Sequence, residues 1–149
     1  MDEINIEGVQ LTPLKQIHKE KGAIFHALKK NEVSFHDFGE AYFSHIDSKA
    51  VKAWKTHSRM WLNLIVPVGA VKFVMVDFRN SSKSFGNFFE VILNPKINYK
   101  RLTIPPGVTF GFQGIGEPLN LVLNVANIEH DPNEMKNIDM HEIDYNWNT

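Results

Sequence analysis

A chain of 149 residues is about the length of one ordinary domain, and its 43% apolar and 22% charged residues fit a packed globular protein rather than a disordered one. A formal charge of −1 with no strong basic run argues against a nucleic-acid groove. With no cysteine, disulfide staples, thiolate metal sites and a cysteine nucleophile are excluded.

The opening MDEINIEGVQ is acidic and lacks an apolar run after a basic start, so it does not read as a signal peptide. No apolar stretch reaches the roughly 18 residues that a membrane helix needs. The expectation is a cytoplasmic protein with no membrane partner, built as one domain over 1–149.

Residues 1–20 read as a lead-in arm or strand with a turn at Pro13. Short apolar runs follow at 23–28, 41–46, 51–56, 60–66, 71–77, 88–93, 101–104 and 119–126. They recur roughly every ten residues, the pattern of an antiparallel sandwich or barrel. The punctuation agrees: Pro67 to Gly69, Asn80 to Ser84 and Asn94 to Asn98 separate successive runs. Pro105, Pro106 and Gly107 make a stiff turn, because two prolines fix φ and remove two amide donors. Helical periodicity is weak. Short helices are expected only over 11–17 and after Pro132, where Asp131 would cap, Pro132 would take the first helical position and Glu134 the first turn.

Two strands carry polar residues in unusual places. Side chains alternate along a strand, so in 119–126 Asn120, Val122 and Asn124 share one face and Leu119, Leu121, Leu123 and Val125 the other. Asparagine is depleted in strands, so this face meets either solvent or a polar cavity. Asn63 interrupts the 60–66 run in the same way, and a buried amide there must find partners, internally or in a polar pocket.

The densest chemical cluster is Trp54, Lys55, Thr56, His57, Ser58 and Arg59. In a strand, Lys55, His57 and Arg59 project from one face. Such a trio either binds an anionic substrate beside an imidazole or forms a basic strand edge that resists aggregation. Imidazole titrates near neutrality, which suits removal of a proton next to a carbonyl. Arg79, after Val76-Asp77-Phe78, reads as an ion pair at a strand end.

The order of the motifs resembles the dTDP-4-dehydrorhamnose 3,5-epimerase family from about His18 to Trp147. The elements are Glu20-Lys21-Gly22, His57 after a short strand, Val68-Gly69-Ala70-Val71 leading to Val76-Asp77-Phe78-Arg79, and Ser82-Lys83-Ser84-Phe85-Gly86. Ile104-Pro105-Pro106-Gly107, Gly111-Phe112 and His130-Asp131-Pro132 with Glu134 complete the set. The resemblance implies an all-β cupin-type jelly-roll barrel and a homodimer in which an N-terminal strand crosses to its partner. It also implies a nucleotide-linked sugar in the barrel mouth, with no cofactor and no metal.

Family enzymes act beside the ketone of a 4-keto sugar. A histidine removes a proton, a lysine helps hold the enolate, and a tyrosine returns a proton to the opposite face. His57 matches the base. The arginine three residues before it is Trp54 here, the lysine position falls near Leu62 or Asn63, and the histidine of the Gly-Phe-x-His-Gly-Phe turn is Phe110. The family tyrosine aligns with Asn124, within a residue or so, and the carboxylate that orients the base is not identified.

The seven histidines contain no His-x-His pair of the kind metal-binding cupins carry. The expected site is therefore His57 as base and Tyr42 as acid, with Lys55, Arg59, Asn63 and Asn124 as substrate contacts and no metal. The function expected is a sugar-nucleotide epimerase or isomerase in polysaccharide or deoxysugar biosynthesis. The alternative is a non-catalytic sugar or sugar-nucleotide binding domain on the same barrel.

Overall fold

The computed structural model describes residues 3–148; Met1, Asp2 and Thr149, the ends of the expected domain, lie outside them. Among the described residues twelve strands are formed: β1 Gln10–Pro13, β2 Gln16–Lys19, β3 Gly22–Phe25, β4 Glu40–His45, β5 Val51–His57 and β6 Leu62–Val68. These are followed by β7 Val71–Asp77, β8 Phe88–Leu93, β9 Lys100–Ile104, β10 Val108–Gly114, β11 Leu121–Ala126 and β12 Met135–Asn137, with one 3-10 turn at Met140–Glu142.

The strands build two five-stranded sheets, ordered β1-β9-β6-β11-β4 and β12-β5-β10-β7-β8, beside a separate β2-β3 hairpin. From β4 to β12 the chain crosses repeatedly between the two sheets, the jelly-roll way of burying one face of each. The inner faces share one core. Leu62, Leu64, Val66, Leu102, Ile104 and Val122 come from one sheet, and Val71, Phe73, Met75, Leu93 and Val108 from the other.

β7 is buried at all seven positions because both of its faces are covered. Val71, Phe73 and Met75 point into the shared core. Val74 and Val76 point outward under Trp54, Ile143 and Trp147, where the C-terminal segment packs across the sheet.

The expected runs at 71–77 and 88–93 match β7 and β8 residue for residue. β10 had no counterpart in the sequence reading. Its glycines dilute the apolar signal, yet Gly111 is required there, since an added Cβ would lie 2.6 Å from Ala53 Cβ on β5.

Both expected helices are corrected. Over 11–17 the chain makes β1 and β2 instead; β1 sits at a sheet edge, where Pro13 is tolerated because no partner awaits its missing amide. After Pro132 the Asp131 carboxylate caps a tight turn by accepting from Asn133 N at 2.9 Å, and the chain then pairs with β5 as β12. A sheet edge with open backbone groups outcompetes a one-turn helix.

Buried polar groups fix the loops. Asn120 faces inward, but its amide is consumed by the backbone: Oδ1 accepts from Ala70 N at 2.9 Å and Gly116 N at 3.1 Å, and Nδ2 donates to Ile46 O at 3.1 Å and Gly116 O at 2.9 Å. At the β6–β7 turn, Gly69 has φ of 83° and would clash with this amide if it carried a Cβ.

Arg79 and Asp77 form the expected ion pair, 2.9 Å apart, and Ser82 and Ser84 also donate to the fully buried carboxylate. These bonds, Arg79 foremost, hold the Asp77 carboxyl well below its ordinary 3.8. The same arginine reaches Glu7 O at 2.6 Å, anchoring the segment that brings Ile6 and Val9 into the core.

Asp77→Ala strands Arg79 and is expected to cost on the order of 3 kcal/mol, read as a lower urea midpoint at pH 7. Because the folded carboxyl is the stronger acid, this stabilisation is complete above the unfolded value of 3.8 and fades as pH falls below it. The gap between wild type and variant should narrow accordingly in acid.

Candidate active site

Between the two sheets lies a cavity of about 470 Å³. Its walls come from β4 (Tyr42, Ser44), β5 (Lys52, Lys55, His57), β10 (Phe110, Phe112), β11 (Val122, Asn124) and Asn137 at the end of β12. Polar groups are thus set into an otherwise apolar pocket, the usual composition of a small-molecule site.

His57 ends β5 and is 7% exposed. Its Nδ1 is hydrogen-bonded to Glu134 Oε1. The other carboxylate oxygen accepts from Arg59 N at 3.1 Å and Met60 N at 3.2 Å, while Ser58 N donates to Glu134 O at 2.7 Å. The Asp131 turn is therefore bolted to the end of β5, and the carboxylate cannot swing away.

Burial pushes the Glu134 carboxyl up, but the bonds from His57 and the two backbone amides outweigh it and hold the group below its ordinary 4.5. Burial pushes the His57 imidazole below its ordinary 6.5, and Glu134 opposes this only in part. Near neutrality the pair is a carboxylate beside a neutral imidazole. Glu134 accepts the Nδ1 proton, which leaves the Nε2 lone pair free to act as a base. Phe110 stacks on the ring at 6.2 Å between centroids, supplying the apolar contact that keeps it dry.

The expected site residues divide. Lys55 lines the cavity beside His57, and Tyr42 and Asn124 line it from the opposite sheet, paired across β4 and β11 with Asn124 Nδ2 donating to the Tyr42 hydroxyl at 3.1 Å.

Arg59 is corrected. β5 stops at His57, so the alternation that would have aligned Arg59 with Lys55 ends there. Its guanidinium is 60% exposed, pairs with Asp131 at 3.0 Å and is not part of the cavity wall.

Asn63 is corrected too. It stands opposite Val125, one residue out of phase with the Leu64–Asn124 pair, and so faces away from the cavity. Its amide donates to Ser34 O at 2.9 Å and accepts from Thr103 Oγ1 at 2.6 Å.

Sequence reasoning missed Glu134, Lys52, Ser44 and Asn137. The signal for Glu134 lay in the His130-Asp131-Pro132 motif, and the strand period could not link position 134 to position 57. Among the described residues no group of three or more His, Cys, Asp or Glu is placed to hold a metal ion. No helix among them is long and apolar enough to cross a membrane.

Comparison with known proteins agrees with this architecture. A dTDP sugar isomerase from Desulfovibrio desulfuricans G20 superposes with a TM-score of 0.93 at 37% identity, covering 99% of this chain and 96% of that one. The spore coat polysaccharide biosynthesis protein SpsL of Bacillus subtilis (strain 168) is 27% identical over 148 residues, 97% of each chain. A dTDP-6-deoxy-D-glucose-3,5-epimerase from Legionella pneumophila Philadelphia 1, solved in complex with dTDP-4-keto-L-rhamnose, shares the fold. Its TM-score is 0.81 at 21% identity, covering 92% of this chain and 76% of that one. With residues 3–149 matching the family model described as dTDP-4-dehydrorhamnose 3,5-epimerase, the chain belongs to that family.

Proposed function

We propose that the protein epimerises a nucleotide-linked 4-keto sugar at a carbon beside the ketone, in polysaccharide or deoxysugar biosynthesis. The observation that carries this is the His57–Glu134 pair at the cavity wall. His57 Nε2 takes the proton from the carbon beside the ketone, and the electron pair of the broken C–H bond moves onto the ketone oxygen as an enolate. The Lys55 ammonium, two residues along the same strand, stabilises that charge. Tyr42, on the facing sheet, returns a proton to the opposite face of the ring. His57 then loses its proton to solvent and Tyr42 regains one, so only configuration changes and no redox partner is needed.

The reaction takes place in the cytoplasm. The active form is a homodimer, for which the β2-β3 hairpin, with Ile24 and Phe25 exposed, offers a surface to a second copy.

The test is solvent exchange. In D2O the wild type should incorporate deuterium beside the ketone of a dTDP-linked 4-keto-6-deoxy sugar. At 100 times its dissociation constant the bound sugar should also stabilise the fold by about 2.7 kcal/mol, read by thermal shift. A thermal shift with no exchange at any pH would overturn catalysis and leave the binding-domain reading in its place.

A further inference from the structure

Asn124 carries two features that the scheme above leaves unused. It is 4% exposed, and its Oδ1 has no hydrogen-bond partner, although Nδ2 is engaged with the Tyr42 hydroxyl at 3.1 Å. That oxygen is sealed from solvent and out of a ligand's reach, so the amide acts through its Nδ2 bond alone. A phenol oxygen that already accepts from Asn124 has its own O–H left to give, and the cavity lies beside it.

We infer that Asn124 is the positioning residue of the proton-return step: its amide N–H holds the Tyr42 phenol with the O–H turned toward the sugar. This rests on the epimerase reading. The N–H that orients the phenol also stabilises the charge left on the oxygen as the proton departs, so the interaction is stronger in the transition state than before it. Register makes the pairing rigid, since Tyr42 and Asn124 are direct partners across the β4–β11 ladder.

The experiment compares wild type, Asn124→Leu, Tyr42→Phe and the double variant. Each is given a dTDP-linked 4-keto-6-deoxy sugar in D2O, and deuterium incorporation and inverted product are measured separately. His57 alone can exchange the proton by returning deuterium to the face it came from. Inversion needs the phenol.

Asn124→Leu and Tyr42→Phe should each lower the ratio of inversion to exchange by about 10²-fold or more. The double variant should be no worse than the poorer single one, because both act through one proton. KM should change little for Asn124→Leu, because no contact with the sugar is lost. Asn124→Ala takes the place of the leucine variant if circular dichroism shows the latter misfolded. An unchanged ratio in the Asn124 variant, or losses that multiply in the double variant, would overturn the inference while the epimerase reading stands. Absence of exchange in the wild type would overturn that reading, and the inference with it.

Discussion

His57→Asn is expected to reduce deuterium exchange beside the ketone by about 10²- to 10⁴-fold, the loss that follows removal of a positioned base. Asparagine is the informative replacement because its amide nitrogen takes the place of Nδ1 and can still donate to Glu134, so the carboxylate is not left buried and unpaired. The variant should melt within a few degrees of the wild type and still give a thermal shift with a nucleotide sugar. Exchange at the wild-type rate would remove His57 from the mechanism. The wild-type pH profile follows from the same ring. The base must be neutral to act, and burial holds its pKa below 6.5, so kcat/KM should climb through a limb below that value and be flat above it. A limb above 6.5 would mean that Glu134 outweighs burial.

Glu134→Gln should lower the rate by about 10²- to 10⁴-fold without touching the substrate, because it removes the group that fixes the tautomer of the base. An ionised carboxylate can only accept, so it admits only the Nδ1–H form of His57. A neutral amide also tolerates the flipped tautomer, with its proton where the lone pair is needed. The charge has its own signature. Glu134 raises the pKa of His57 against the effect of burial, so its loss should move the acid limb to lower pH while the plateau falls. A structural role alone would lower the plateau and leave the limb in place. With its oxygen toward Arg59 N and Met60 N, the amide turns an N–H to His57 and is satisfied by the flipped tautomer, so a urea titration should find stability changed by no more than about 1 kcal/mol.

How much of this was legible beforehand depends on the distance over which each feature is encoded. Runs of alternating or continuous apolar residues between turn signals located β7 and β8 to the residue and most other strands to within a few. That pattern is local, because each side chain's face follows from its neighbours along the strand. Where a strand is held by a close approach of backbones rather than by apolar side chains, as at Gly111 in β10, the local pattern falls silent. The helix expected after Pro132 failed for a related reason: a cap and a proline describe a helical start equally well as a tight turn, and the edge of β5 decided between them.

The site divides along the same line. His57, Lys55, Tyr42 and Asn124 were identifiable by residue type, strand phase and family likeness, and the cavity brings all four together. Arg59 and Asn63 were excluded by facts outside their own segments, the end of a strand for one and a covering loop with Ser34 for the other. Glu134 lies 77 residues from His57, and the Asn124–Tyr42 bond spans 82. Strand alternation determines which side of its own ribbon a residue takes. It does not determine which distant ribbon lies opposite, because that depends on how two sheets close over a shared core. The sequence by itself determined the barrel and its inward faces and offered His57 as a candidate base; the closure of the sheets alone decided what that imidazole leans on and what faces it.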